Sequence, residues 1–177
     1  MNSRQTAFSL YELLITLAIF ATVVALGLPS FGNVVAAHRL RAEVDGLFHA
    51  IHLARKESVV RRRVVTICPT LDGQLCSQTM DWSAGWMMFV NHDRSTSQTR
   101  DQGEPILWQS RPNSGVLILA NRRSFSLRST QLRATNGTVV FCDPAGRVPA
   151  RGLVISYTGR PRVALQDRRG KAYQCTH

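Results

Sequence analysis

Two arginines separated by one proline, in Gly159-Arg160-Pro161-Arg162, are the chain's sharpest candidate for chemistry, and that chemistry is anion recognition. Glycine permits a tight turn, and proline fixes the backbone between the two basic side chains. In an extended stretch, residues two apart project to one side, so both guanidinium forks can meet successive phosphates. The surroundings are basic as well. The chain has a net charge of +11, and residues 111–177 hold twelve bases against two acids. Lys56 and Lys171 are the only lysines, so the excess is carried by arginine. Arg147 and Arg151 precede the tetrapeptide, and Arg168, Arg169 and Lys171 follow it. Such a distribution suits a polyanion (nucleic acid, anionic lipid or acidic glycan), and it also suits an ordinary solubilising surface. Tyr157 fits either a base-stacking ring or a strand aromatic.

Four cysteines, Cys68, Cys76, Cys142 and Cys175, offer redox chemistry. None forms a C-x-x-C pair, so two disulfides in an oxidising compartment are expected. Three connectivities are open, of which Cys68–Cys76 with Cys142–Cys175 is the local one. A Cys142–Cys175 bridge would enclose the arginine tetrapeptide and stabilise the fold by about 4 kcal/mol in the chain-entropy model. His177 lies near Cys175, but no second short-spaced ligand pair accompanies it. His49 and His52 share a helix face without a third ligand. With no nucleophile elbow, P-loop or carboxylate pair, no enzyme, cofactor or metal site is expected. Trp82, Trp86 and Trp108 are expected in the core.

The last chemical oddity is Glu12. It is the one charge in the apolar run Phe8–Phe31. A bilayer core is crossed by about 20 apolar helical residues, and this run is long enough. A charge in such a segment costs about 2.5 kcal/mol or more, so a cationic partner is expected.

These groups need elements to position them. Leu40, Val44, Leu47, Ile51, Ala54 and Ser58 recur at steps of four and three, one face of a helix. Polar residues fill the other faces. One long helix from about Leu10 to about Arg62 is expected, with a kink near Gly27 caused by Pro29. After Arg61-Arg62-Arg63 the pattern changes to short runs at 64–68, 85–90, 106–109, 115–120, 138–142, 153–157, 162–166 and 172–175. Turn signals separate them, which reads as an antiparallel sheet domain. The fold class is therefore α+β. Its parts are 1–7, a leader; 8–31, a transmembrane and assembly helix; 32–62, the amphipathic second half of that helix; and 63–177, a β-rich globular domain. The polar stretch 91–103 is the one long loop.

The opening residues, a short polar leader followed by Phe8-Ser9-Leu10-Tyr11-Glu12-Leu13-Leu14, resemble the prepilin signal of type IV pilins and type II secretion pseudopilins. Ala7 stands where that family usually has glycine. The resemblance implies cleavage between Ala7 and Phe8 by a prepilin peptidase, methylation of the new terminus, and retention of the helix. It implies that Glu12 pairs with the terminal amine of a neighbouring subunit during assembly. Residues 61–76 and 81–90 resemble the FimT/GspH branch, and Gly159-Arg160-Pro161-Arg162 resembles its FimT-type G-R-x-R motif. On that resemblance, Gly159, Arg160 and Arg162 would bind DNA without sequence specificity in natural transformation. Arg147, Arg151, Arg168, Arg169 and Lys171 would widen the patch by their charge and are not carried over from the resemblance. The implied partners are DNA, other pilins, the peptidase and, before assembly, the bacterial inner membrane; the surface pilus is the destination. The alternative is a GspH-like subunit that acts only in assembly of a pilus or secretion pseudopilus.

Overall fold

The computed structural model describes residues 9–92, 99–111, 115–129 and 133–175, without the side chains of 26–30. Ala7, Phe8 and His177, and with them the expected cleavage site, lie outside the described residues. One helix, α1 (Leu10–Arg61), is followed by eight strands: β1 (Val64–Pro69), β2 (Trp86–Asn91), β3 (Ile106–Ser110), β4 (Leu117–Ala120), β5 (Phe125–Leu127), β6 (Gly137–Cys142), β7 (Arg151–Ile155) and β8 (Pro161–Ala164).

The helix starts where Ser9 accepts the backbone N–H of Glu12 at 3.3 Å, which satisfies one of the orphan donors of the first turn. It stops at Arg62, which takes the left-handed conformation (φ 52°) and donates its N–H to the Val59 carbonyl. The expected face is buried throughout: Leu40, Val44, Leu47, Ile51, Ala54 and Ser58 are each at most 2% exposed. Ser58 donates its hydroxyl to the Arg55 carbonyl at 2.7 Å and so enters the core without an unpaired group.

The strands pair antiparallel throughout and divide into two sheets, β3-β2-β1-β5 and β4-β6-β7-β8. Both turn one face to α1. Val65, Ile67, Met88, Phe125 and Leu127 from the first sheet meet Ile118, Val139, Phe141, Leu153 and Ile155 from the second around the helix stripe. Each large side chain buried there contributes about 1.5–3 kcal/mol, which holds the two sheets and the helix as one unit.

Several elements differ from expectation. The three-residue strand β5 was not anticipated; flanked by Arg122, Arg123 and Arg128, it has no alternating run to announce it. Residues 172–175 form no strand and touch the chain's own return only through the bridge Gln166↔Ala172. Trp82 and Trp86 are buried, but Trp108 is 53% exposed because β3 is an edge strand. The ends of the polar loop are drawn together by buried Glu104, which accepts the backbone N–H groups of His92 at 2.7 Å and Asp101 at 3.0 Å.

Among the described residues, no helix is long and apolar enough to cross a membrane. The unbroken stretch of described side chains in the apolar run ends at Ala25, short of the ~20 residues a bilayer needs. Those that are described, including Leu10, Tyr11, Leu17, Phe20 and Val23, are exposed, so this stretch of α1 has no cover among the described residues.

Candidate nucleic-acid interface

The β7–β8 hairpin displays the arginine tetrapeptide, and its register explains how. Val154 lies opposite Arg162 and Ile155 opposite Pro161. Ile155 and Pro161 point into the core, so Arg160 and Arg162, on either side of Pro161, are exposed. Period-two alternation thus puts both guanidinium groups on the outer face of the second sheet.

The tip is rigid for local reasons. Gly159 donates its N–H to the Ser156 carbonyl at 2.9 Å, and Ser156 donates to the Arg160 carbonyl at 3.1 Å. The Ser156 hydroxyl accepts the Arg160 N–H at 3.2 Å and bonds the Thr158 hydroxyl at 2.9 Å. Gly159 has φ +70°, and a Cβ there would stand 2.8 Å from Leu127 Cδ1 and 3.4 Å from Ala134 Cβ. Only glycine fits both the conformation and the space. The tip is also tied sideways, because Ala134 donates its N–H to the Tyr157 carbonyl at 2.9 Å.

That side tie introduces a base the sequence did not single out. The Arg133 guanidinium lies over the Tyr157 ring, 5.7 Å from its centroid, a cation–π contact. Tyr157 is itself 54% exposed in the turn, outside any strand. The tertiary link between Ala134 and Tyr157 brings Arg133 to the hairpin, so no local signal could have found it.

The chain after β8 folds back over the outer face of the second sheet as a strap. Asp167 Oδ1 accepts the N–H groups of Arg169 at 2.8 Å and Lys171 at 2.9 Å, closing a turn. Those two bonds, Lys171's the larger, hold its carboxyl below the usual carboxylate range. The Tyr173 ring lies on the backbone of Gly152, where a Cβ would overlap it. Burial pushes the Tyr173 hydroxyl up, opposed by the nearby charge of Arg162. Cys142–Cys175 anchors the end of the strap, with Cα atoms 5.9 Å apart, and Cys68–Cys76 closes the other, smaller loop. The local pairing is therefore the one adopted.

The strap brings Arg168 and Arg169 beside Arg162. Together with Asn121, Asn136, Thr138, Asp167 and Tyr173 they line a groove of about 310 Å³, in which three guanidinium groups face one carboxylate. Lys171 is exposed on the strap's return. Arg147 and Arg151 are not part of this surface. The Arg147 guanidinium is engaged bidentately by Asp143, with bonds of 2.9 and 2.7 Å. Arg147 in turn holds the Asp143 carboxyl down at about 2. Arg147 shares a cleft with Ala36 and Arg39, and Arg151 one with Val34, Ala37, His38 and Arg41. The hairpin tip instead approaches Arg55, whose Cδ is 4.0 Å from the Cβ position of Gly159. Helix rise puts those levels about 27 Å apart.

Comparison with known proteins accords with this architecture. The family model for the type II transport protein GspH matches residues 43–159. The fold is similar to the type IV minor pilin FimU of Pseudomonas aeruginosa (strain PAO1), known in two crystal forms. One gives a TM-score of 0.53 at 20% identity, covering 78% of this chain and 95% of that one. The other gives 0.52 at 19%, covering 76% and 97%. The minor pseudopilin EpsH of the Vibrio cholerae type 2 secretion system aligns at 9% identity over 71% of this chain and 96% of that one, with a TM-score of 0.46. No curated protein matches the chain.

Proposed function

We propose that this chain, which belongs to the GspH family of type IV pilin-like proteins, is a minor pilin whose hairpin tip binds DNA without sequence specificity. A part in building a type IV pilus or a type II secretion fibre comes with the family. The finer reading rests on one observation: buried Pro161 sets Arg160 and Arg162 on the outer face of a rigid tip, beside the groove that Arg162 shares with Arg168 and Arg169. Guanidinium forks held by a fixed backbone suit successive phosphates, and no arrangement for reading base edges accompanies them. A fibre carrying several copies would add avidity to a weak single contact.

The N-terminal half completes the proposal. Cleavage between Ala7 and Phe8 would create an amine for Glu12 of a neighbouring subunit to meet in the fibre. Before assembly, the apolar run would hold the chain in the inner membrane, with the disulfide-bonded domain on the oxidising, periplasmic side. The exposure of Leu10 to Val23 supports this reading, since that surface has no cover among the described residues.

The experiment is direct. The globular domain, cut within residues 26–30, is titrated with two duplexes of unrelated sequence, beside Arg160→Gln/Arg162→Gln. Wild type binds both equally, and the double variant binds at least tenfold more weakly, since two charged contacts are lost at roughly 1 kcal/mol or more each. Equal binding by the variant would remove the tip from the account.

A second reading has one observation in its favour. The family match ends at residue 159, so Arg160, Arg162 and the strap lie beyond what the family as a whole shares. On that reading the subunit acts only in assembly, and the domain does not bind DNA.

A further inference from the structure

We infer that a second basic cluster, at the end of the domain where the apolar helix emerges, holds the phosphate of an anionic phospholipid. The inference rests on the reading that the apolar run enters a bilayer, and it is independent of DNA binding. From Leu10 to Ala37 the helix contains no base and one acid, Glu12. Its first arginines are Arg39 and Arg41, both exposed. The second sheet then supplies another: Arg151, at the start of β7, lines one cleft of about 190 Å³ with Val34, Ala37, His38 and Arg41.

The cleft combines the two chemistries of a lipid surface. Val34 and Ala37 form an apolar side continuous with exposed Phe31, while Arg41 and Arg151, from different elements, bring guanidinium forks to the same opening. The ion pairs among the described residues are Arg61–Glu57 and Arg147–Asp143, so Arg39, Arg41 and Arg151 keep their charges uncompensated by a direct partner. The nearest acids on the helix, Glu43 and Asp45, follow on the side away from the apolar run. Ten helical residues separate Phe31 from Arg41, about 15 Å, beyond a headgroup layer of about 5–8 Å; because helical side chains lean toward the N-terminus, the long arms of Arg39 and Arg41 reach back to the outer edge of that layer when the run is buried. Arginine near a membrane surface is drawn to anionic headgroups by its positive charge. The hairpin tip, beside Arg55 and about 21 Å further along the helix than Arg41, stays clear of the bilayer. A chain held this way would sit upright on the membrane, with its outer arginines free.

Lipid retention tests the inference. The full chain is reconstituted in vesicles of phosphatidylcholine with and without phosphatidylglycerol, extracted, and the lipids that remain bound are weighed by mass spectrometry. Wild type retains phosphatidylglycerol in preference to phosphatidylcholine. Arg41→Gln/Arg151→Gln loses about fivefold of that preference per arginine, whereas Arg41→Lys/Arg151→Lys and a remote control, Arg122→Gln/Arg123→Gln, keep it. Equal retention of the two lipids by wild type overturns the inference. Loss in the lysine pair as well as the glutamine pair does so too, because altered folding and not charge would be responsible. If the glutamine pair weakens DNA binding as much as Arg160→Gln/Arg162→Gln does, the cluster serves nucleic acid instead. Flotation with pure phosphatidylcholine vesicles reports the anchoring separately. A chain that does not float overturns both the anchoring and this inference; one that floats without lipid preference overturns the inference alone.

Discussion

Replacing Gly159 by alanine separates two demands that the hairpin tip makes on one residue. The first is conformational: at φ +70° an L-residue pays about 1–2 kcal/mol. The second is steric. The new Cβ would stand 2.8 Å from Leu127 Cδ1, and Leu127 is 1% exposed, so its methyl has nowhere to retreat. Forcing a methyl into such a site costs roughly 1–3 kcal/mol. Gly146 supplies the control, because it has φ +65° and nothing within 4 Å of its Cβ position. Gly146→Ala should therefore cost only the conformational part, about 1–2 kcal/mol. Gly159→Ala should cost about 2–5 kcal/mol, and thermal unfolding of the domain should show it losing roughly 5–15 °C against roughly 2–8 °C for the control. A double-mutant cycle with Leu127→Ala should recover about 1 kcal/mol or more, since shortening Leu127 makes room. DNA affinity gives a third reading: Gly159→Ala displaces the arginines and weakens binding, and Gly146→Ala does not. Equal loss of Tm in the two alanine variants, with no coupling to Leu127, would refute the steric reasoning.

Three further outcomes are expected. Arg62→Gly should raise stability by about 1 kcal/mol in a thermal melt, because Arg62 ends α1 in the left-handed region that glycine adopts freely. Asp143→Asn should destabilise the domain by about 1–2 kcal/mol at neutral pH, a charge-assisted pair discounted for the exposure of Arg147. Because the folded pKa of Asp143 is depressed to about 2 from 3.8, that contribution is present above about 4 and lost as pH falls toward 2. Melts across pH 2 to 7 should therefore show wild type and Asp143→Asn converging in acid. Cys142→Ser/Cys175→Ser should lose about 4 kcal/mol of stability by the chain-entropy model and bind DNA more weakly, as the strap carrying Arg168 and Arg169 loosens.

Long-range order in the helix was written plainly in the sequence, because a stripe of six residues at steps of three and four admits one arrangement. Seven of the strands were visible for a similar reason, as apolar runs between turn signals. β5 was not, since three residues between arginines hold no period, and its identity comes from pairing Val65 and Ile67 of β1 with Leu127 and Phe125. Residues 172–175 looked like a strand, but Tyr173 packs its ring on Gly152 while its backbone makes no ladder. The candidate interface divided along the same line. The alternation that exposes Arg160 and Arg162 is local and could be read directly. Which other bases accompany them is tertiary: Asp143 neutralises Arg147, β7 carries Arg151 to the opposite end, and the Ala134–Tyr157 bond brings in Arg133.

The salt dependence of DNA binding tests the central claim most directly. Affinity of the domain for duplex DNA is measured across a salt series, for wild type and for Arg160→Gln/Arg162→Gln. The account predicts a linear fall of log K with log salt for wild type, and a slope shallower by about 1.8 in the double variant, two phosphate contacts fewer at about 0.9 each. A wild-type domain that shows no salt-dependent binding, or a variant whose slope and affinity match wild type, would contradict it.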